Sequence, residues 1–329
     1  MAGWDYSDWT GIVYPSPSPR SFDRLSFLAA FFDTVEINVT FYRQPDPGAS
    51  RSWIGRVSSM SSFRFTAKLH QVFTHARTSS PARGRSSPSL TDTGPESVTG
   101  AATEEVDLRA EARTYLAGIE PLLESGRLGA VLMQFPQAFQ DRPHNRTHLK
   151  TVTGMLPGLP LVAEFRHRSW NNDGALAFLR DLGVGFCNID QPALGATLPP
   201  TSHLTSSVGY VRLHGRNAVN WFTCKAREYP AGAGRRSGSA RYDYLYSMEE
   251  LRPWVERARS MADRAEEVFV IANNHYRGKG PANALMLKSA LERRRVQSPA
   301  GLVAVFPGLK DCAEPVASGR ETPGQGRLF

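Results

Sequence analysis

The chain has 329 residues, 41% hydrophobic and 21% charged, values that suit a globular protein with one sizeable core. No run approaches the roughly 18–20 apolar residues that cross a bilayer. Residues 1–14 alternate aromatic and polar side chains instead of forming a basic and then apolar leader. The three cysteines, Cys187, Cys224 and Cys312, are too few and too scattered for a disulfide framework or a cysteine-based zinc site. A cytoplasmic protein with no membrane partner is expected.

The formal net charge is +8. A Ser/Pro/Gly/Thr-rich stretch, 78–106, carries more acidic than basic residues, and the tail 296–329 is balanced. The positive charge therefore sits in the rest of the chain, where it could draw in phosphate backbones; simple solubility explains it equally well.

In chain order, an amphipathic stretch at 21–32 precedes the apolar run Thr34–Phe41. A helical stretch at 50–60 leads to the run Phe63–His70, and after 78–106 a helical stretch at 105–124 leads to Ala130–Phe135. The alternation continues through helix 147–156, run Leu161–Arg166, helix 175–182, and runs Val184–Asp190 and Tyr210–His214. Helix 248–264, run Val268–Asn274 and helix 281–295 complete it. Strands alternating with helices predict parallel βαβ units. Seven of them in one chain favour a TIM-type (β/α) barrel, which commonly needs about 250 residues. No Gly-x-Gly-x-x-Gly follows a strand and no P-loop lysine occurs, so the nucleotide-binding sheets lose their main support. An eighth strand is expected before residue 21, where only MAGWDYSDW stands; a true start upstream of Met1 is the expectation. The domain reading is one barrel over 1–295, a disordered insertion at about 78–106, and a flexible Pro/Gly-rich tail over 296–329.

Several blocks resemble the DUF72 (YecE-like) family. They are Gly3-Trp4 with Tyr6, Trp9, Gly11 and Tyr14-Pro15; Val35 to Asn38 with Thr40 to Arg43; Phe65 to Lys68 with Thr74-His75; and Gln134-Phe135-Pro136. Glu164 to His167 with Ser169-Trp170, Arg212 to Arg216, and Asn273 to His275 with Gly278 and Asn283-Ala284 complete the set. The blocks run in order from residue 3 to about residue 292, and the resemblance implies a TIM-type barrel. The absent first strand, the long insertion and the extended tail depart from the family pattern.

Residues i and i+2 of a strand share a face, and barrel sites form at the C-terminal strand ends. Glu36 with Asn38, Lys68 with His70, Glu164 with Arg166, Asn188 with Asp190, Arg212 with His214, and Asn273 with His275 all fall there, and Gln134 marks the remaining strand. A purely structural ion-pair network is the plain alternative. The mixture of unlike groups at one mouth favours a site, because unpaired buried charges cost several kcal/mol each. Glu36 or Glu164 is then a candidate general base and His214 a general acid or ligand. Lys68, Arg166 and Arg212 would bind phosphate or carboxylate, while Asn38 and Asn274 would orient the substrate. Trp4 and Tyr6 offer stacking surfaces for bases or sugars; a hydrophobic plug over the barrel top is an equal reading. Glu36, Glu164, Asp190, His214 and His275 suit a divalent metal in kind, but the neighbouring cations disfavour one.

The last five residues, Gln325 to Phe329, resemble the Gln-x-x-Leu-Phe peptide by which bacterial DNA-processing proteins dock on the sliding clamp. Gln325, Leu328 and Phe329 would make that contact; Gly326 departs from the pattern. Three functional readings stay open. One is a hydrolase acting on phosphodiester or phosphorylated substrates in nucleic-acid metabolism. The others are a non-catalytic nucleic-acid or clamp-associated binding protein and a sugar-phosphate enzyme.

Overall fold

Each of the seven apolar runs forms a strand, and helix separates each from the next except Val184–Asp190 from Tyr210–His214, which a helix-free segment joins. The computed structural model describes residues 1–75, 107–219, 221 and 240–316. The insertion 78–106 and the peptide of Gln325, Leu328 and Phe329 lie outside the described residues. The order is α1 (Arg24–Ala29), β1 (Thr34–Ile37), α2 (Val39–Tyr42), α3 (Pro47–Arg56), β2 (Arg64–Lys68), α4 (Leu108–Glu124) and β3 (Leu128–Gln134). Then follow α5 (Pro143–Gly154), β4 (Leu161–Glu164), α6 (Asp173–Asp181), β5 (Gly185–Asp190) and β6 (Val208–Leu213). α7 (Met248–Ala262), β7 (Glu267–Ala272), α8 (Lys279–Glu292), β8 (Val296–Pro299), α9 (Ala300–Val305) and β9 (Ala313–Val316) complete it. Helix starts carry readable caps. Asp46 accepts from Ala49 N ahead of Pro47, and Ser247 with Glu250 forms a capping box on α7.

The sheet runs β1 to β7 in sequence order, all parallel. Partners such as Val35↔Phe65, Gln134↔Glu164 and Arg212↔Ile271 fix the register and bring the strand ends to one level. Residues 1–3 bridge β7 and β1. Ala2 N donates to Ala272 O (3.2 Å), Gly3 N to Glu36 O (2.9 Å), and Glu36 N to Met1 O (2.7 Å). Three residues thus stand in the slot where a full strand was expected, and the barrel is nearly closed.

The barrel floor is packed rather than open. The β2–β3 register slips between Phe65 and Thr66, opposite Gly129, and a Cβ on Gly129 would lie 2.1 Å from the Phe269 ring. Glycine here lets a phenyl ring from the opposite wall fill the interior.

Two expectations are corrected. The run Thr34–Phe41 is strand only to Ile37; Val39–Tyr42 turns at once into the short helix α2, so Asn38 leaves the strand that carries Glu36. Residues 296–316 are not a flexible tail. β8 pairs with β9, and Val296, Leu302, Val303, Leu309 and Ala313 are buried beside α7 and α8. Those apolar residues are spaced too irregularly among Pro and Gly to show a helical or strand period. No helix of the described residues is long and apolar enough to cross a membrane.

Candidate functional site at the strand ends

β1, β2, β3, β4 and β6 each end with a polar side chain turned into the barrel. Glu36, Glu164, Arg212 and His214 are fully buried there. Arg212 lies at the centre. Its Nη2 donates to Glu36 Oε1 (2.7 Å) and its Nη1 to Glu164 Oε2 (2.5 Å), with Gln134 Oε1 3.3 Å from Nη1. Tyr210, two residues earlier on the same face, donates to Glu36 Oε2 and Thr66 Oγ1, both at 2.9 Å. Arg166 Nη2 pairs with Glu164 Oε1 at 2.6 Å, and its Nη1 reaches Gln191 Oε1 at 3.3 Å.

Local packing explains why Glu164 and Arg166 point inward. Phe165 between them faces out and stacks on Trp170 with ring centroids 4.0 Å apart. Phe135 and Phe139 extend that stack, and Trp170 Nε1 donates to Phe139 O at 2.8 Å. Offset stacks of this kind add to ordinary burial. Fixing Phe165 on the outer layer fixes its two neighbours on the inner one.

The charges are unevenly matched. Burial alone would raise the Glu164 carboxyl, but the Arg166 and Arg212 guanidiniums, helped by His214, hold it well below the usual range. Burial pushes the His214 imidazole well down, with Arg166 adding to the effect, so the ring is neutral near pH 7. Asn273 Nδ2 lies 2.9 Å from His214 Nδ1. With that amide donating, Nε2 carries the proton and faces Glu164 Oε1 at 3.4 Å. Lys68 ends β2 with a partly exposed side chain. Among the described residues it pairs with no carboxylate, and its Nζ lies 5.6 Å from the Phe41 ring centroid. Burial, reinforced by Arg212, pushes its ammonium down to about 8. One buried atom of this cluster, Arg212 Nε, has neither a hydrogen-bond nor an ion-pair partner among the described residues. Clusters of this kind are a place where an outside ligand or water is accommodated.

Other expected members of the ring sit elsewhere. Asn188 and Asp190 face outward, toward α7. Asn188 holds Thr201, His203 and Met261. Asp190 accepts a bidentate pair from Arg216 (2.9 and 2.7 Å), Tyr246 OH (2.9 Å) and Trp254 Nε1 (2.7 Å). The parity of β5 instead turns Cys187 inward, its Sγ 4.0 Å from Glu164 Oε2. Asn274 Nδ2 is committed to Tyr244 O and Asn283 Oδ1, both at 2.8 Å. Asn38 stands at the N-cap position of α2, without a side-chain capping bond, beside Tyr6, and His70 caps the turn after β2. Trp4 packs edge-on against Trp53. Tyr6 donates to Ala2 O (2.8 Å) and stacks on His275, centroids 4.4 Å apart. With Trp9 and Tyr14 buried, most of the aromatic opening is a plug, and Tyr6 with His275 forms its edge at the mouth. The residues suggested for a metal are divided: Asp190 serves Arg216, and both glutamates serve Arg212. Among the described residues no three His, Cys, Asp or Glu side chains converge on a metal-sized space. Tyr210 and Thr66 were missed; their i−2 spacing from Arg212 and Lys68 was the available signal.

A parallel barrel of this strand order, with its ionisable groups gathered at the C-terminal strand ends, is a TIM-type α/β barrel. The chain belongs to the family described as "Protein of unknown function DUF72", whose model matches residues 1–303. It is 26% identical to the UPF0759 protein YunF of Bacillus subtilis (strain 168), over 89% of this chain and 93% of that protein. A crystal structure of a DUF72 family protein from Thermotoga maritima MSB8 is 30% identical, with a TM-score of 0.67 over 89% of this chain and 97% of that one. A second, from Enterococcus faecalis V583, shares the fold at 24% identity and a TM-score of 0.63, covering 83% of this chain and 90% of that one.

Proposed function

We propose that the barrel mouth binds a small phosphate- or carboxylate-bearing compound and acts on it. The observation that carries this reading is the charge surplus: Arg166, Arg212 and Lys68 face only two carboxylates, Glu36 and Glu164. A bound anion would complete that balance and supply a partner for Arg212 Nε. The neutral His214, with Nε2–H turned toward the cluster, would donate to a ligand oxygen. Glu164 is held ionised by two guanidiniums and is poorly suited to accept a proton, so the general-base role is assigned to Glu36.

A phosphoester from nucleic-acid metabolism is the finer reading. The net charge of +8 and the clamp-like peptide of Gln325, Leu328 and Phe329 support it.

The test is calorimetric titration of the purified protein with inorganic phosphate, AMP and citrate. Binding of at least one, weakened tenfold or more in Arg166→Gln, is expected; tenfold corresponds to about 1.4 kcal/mol. No heat from any of the three would sink the anion-site reading. Hydrolysis is tested with bis(p-nitrophenyl) phosphate, where Glu36→Gln should abolish turnover. Equal turnover by that variant would remove Glu36 from the mechanism.

A further inference from the structure

Among the described residues at the mouth, Lys68 is a cation that the ion-pair network leaves without a carboxylate. Its backbone is firmly held: Thr40 Oγ1 and Tyr115 OH both donate to Lys68 O, at 2.6 and 3.0 Å. The side chain leaves the inner face two residues after Thr66 and ends over the Phe41 ring. It is partly open to solvent, so a ligand entering the mouth can reach it. The Arg212 charge acts on it, opposed by Glu36 and Glu164 and reinforced by Arg166, so the amine lies within electrostatic range of the Arg212 cluster at the same strand ends. A lysine set in an apolar pocket beside other cations is a nucleophile for carbonyl carbon.

We infer that Lys68 condenses with the carbonyl group of an anionic oxo compound, a 2-oxo acid or a phosphorylated ketose, held by Arg166 and Arg212. This rests on the anion-site reading and specifies its substrate class. The Nζ lone pair forms the C–N bond while the carbonyl π pair moves to oxygen, giving a carbinolamine. The nitrogen then forms the C=N bond as the C–O bond breaks. Nitrogen gives up two protons, oxygen leaves as water, and a proton added to the imine completes the iminium; no oxidant or reductant is needed. Proton carriers stand nearby: burial pushes the His75 and His275 imidazoles down, and the charge of Lys68 depresses both further.

The experiment is reductive trapping of the full chain with sodium cyanoborohydride and pyruvate or dihydroxyacetone phosphate, followed by peptide mass spectrometry. The adduct is expected on Lys68 at least tenfold above the exposed Lys150 and Lys310, with inorganic phosphate competing. Preference for one probe tells whether carboxylate or phosphate is the recognised group. On the wild-type protein, trapping should rise with pH around a midpoint near 8 rather than the ordinary 10.5. Lys68→Arg should lose the adduct. Phosphate binding without an adduct on Lys68 above the two surface lysines would overturn the imine and leave the anion site standing. Absence of both binding and adduct would overturn the two together.

Discussion

Removing Arg212 alone should be far more damaging than removing the whole triad that it organises. Arg212 and its partners Glu36 and Glu164 are 0% exposed, with contacts of 2.7 and 2.5 Å. At an effective dielectric of about 20, a unit pair at that distance attracts by roughly 6 kcal/mol. Arg212→Met forfeits both attractions while two desolvated carboxylates stay behind. Lys68 and Arg166 offset part of that loss, and breaking a buried pair typically costs about 3–5 kcal/mol net. The triple replacement Glu36→Leu, Arg212→Met, Glu164→Leu leaves no carboxylate of this cluster behind. Lys68 can shed its proton, and Arg166, with its side chain 14% exposed, can turn to solvent. The triple variant should therefore recover at least 2 of those roughly 3–5 kcal/mol while losing anion binding completely. Urea denaturation followed by tryptophan fluorescence, compared at constant m, reads the difference. Either of two results would refute the reasoning: an Arg212→Met cost below about 1 kcal/mol, or a triple variant no more stable than the single one.

Gly118→Ala should destabilise by about 1–3 kcal/mol, since its Cβ would sit 2.2 Å from Pro45 O where α3 meets α4; an unchanged Tm would contradict this. Trp170→Ala should cost about 3–5 kcal/mol and weaken phosphate binding, because the stack that orients Glu164 and Arg166 loses its end ring; intact affinity in the folded variant would separate the stack from the site. Burial holds His275 down to about 4 from 6.5, against a small upward pull from Asp8. Between those values the unfolded chain binds the extra proton, so stability is full above pH 6.5 and falls as pH drops toward 4. His275→Gln should flatten that slope in denaturation series at pH 7, 6, 5 and 4.5, and an identical slope would show that another group titrates.

The strands were legible because five of the seven apolar runs end on a polar residue and all but Val184–Asp190 are followed by helical periodicity. What the pattern could not decide was parity on β5, all of whose residues are buried. A strand covered on both sides shows no apolar–polar alternation, so Asn188 and Asp190 read as ring members when Cys187 and Ile189 face inward. Along β6 the same rule succeeded, because Arg212 and His214 share the inner face with Tyr210. The filling of the eighth slot by Met1–Gly3 was also beyond reach: three residues make no period. Likewise the buried residues of 296–316 are held by contacts with α7 and α8, which no local pattern reveals. That Lys68 pairs with no carboxylate among the described residues is a property of distance rather than of spacing.

The hydrogen bonds around Asp190 have an engineering consequence. Arg216 is clamped to Asp190, Gly215 N donates to Tyr246 OH at 2.8 Å, and Asn217 Nδ2 reaches Asp243 O at 3.2 Å, with Lys279 paired to Asp243. Positions 217 and 243 are therefore stitched together next to the site. Lengthening the chain between such fixed points costs only about 0.6 kcal/mol per doubling. Two side chains of this junction reach the mouth, Trp221 beside His214 (ring centroids 6.2 Å) and under Arg166, and Tyr242 beside His275 (4.7 Å), so a change of length here would be felt at the site.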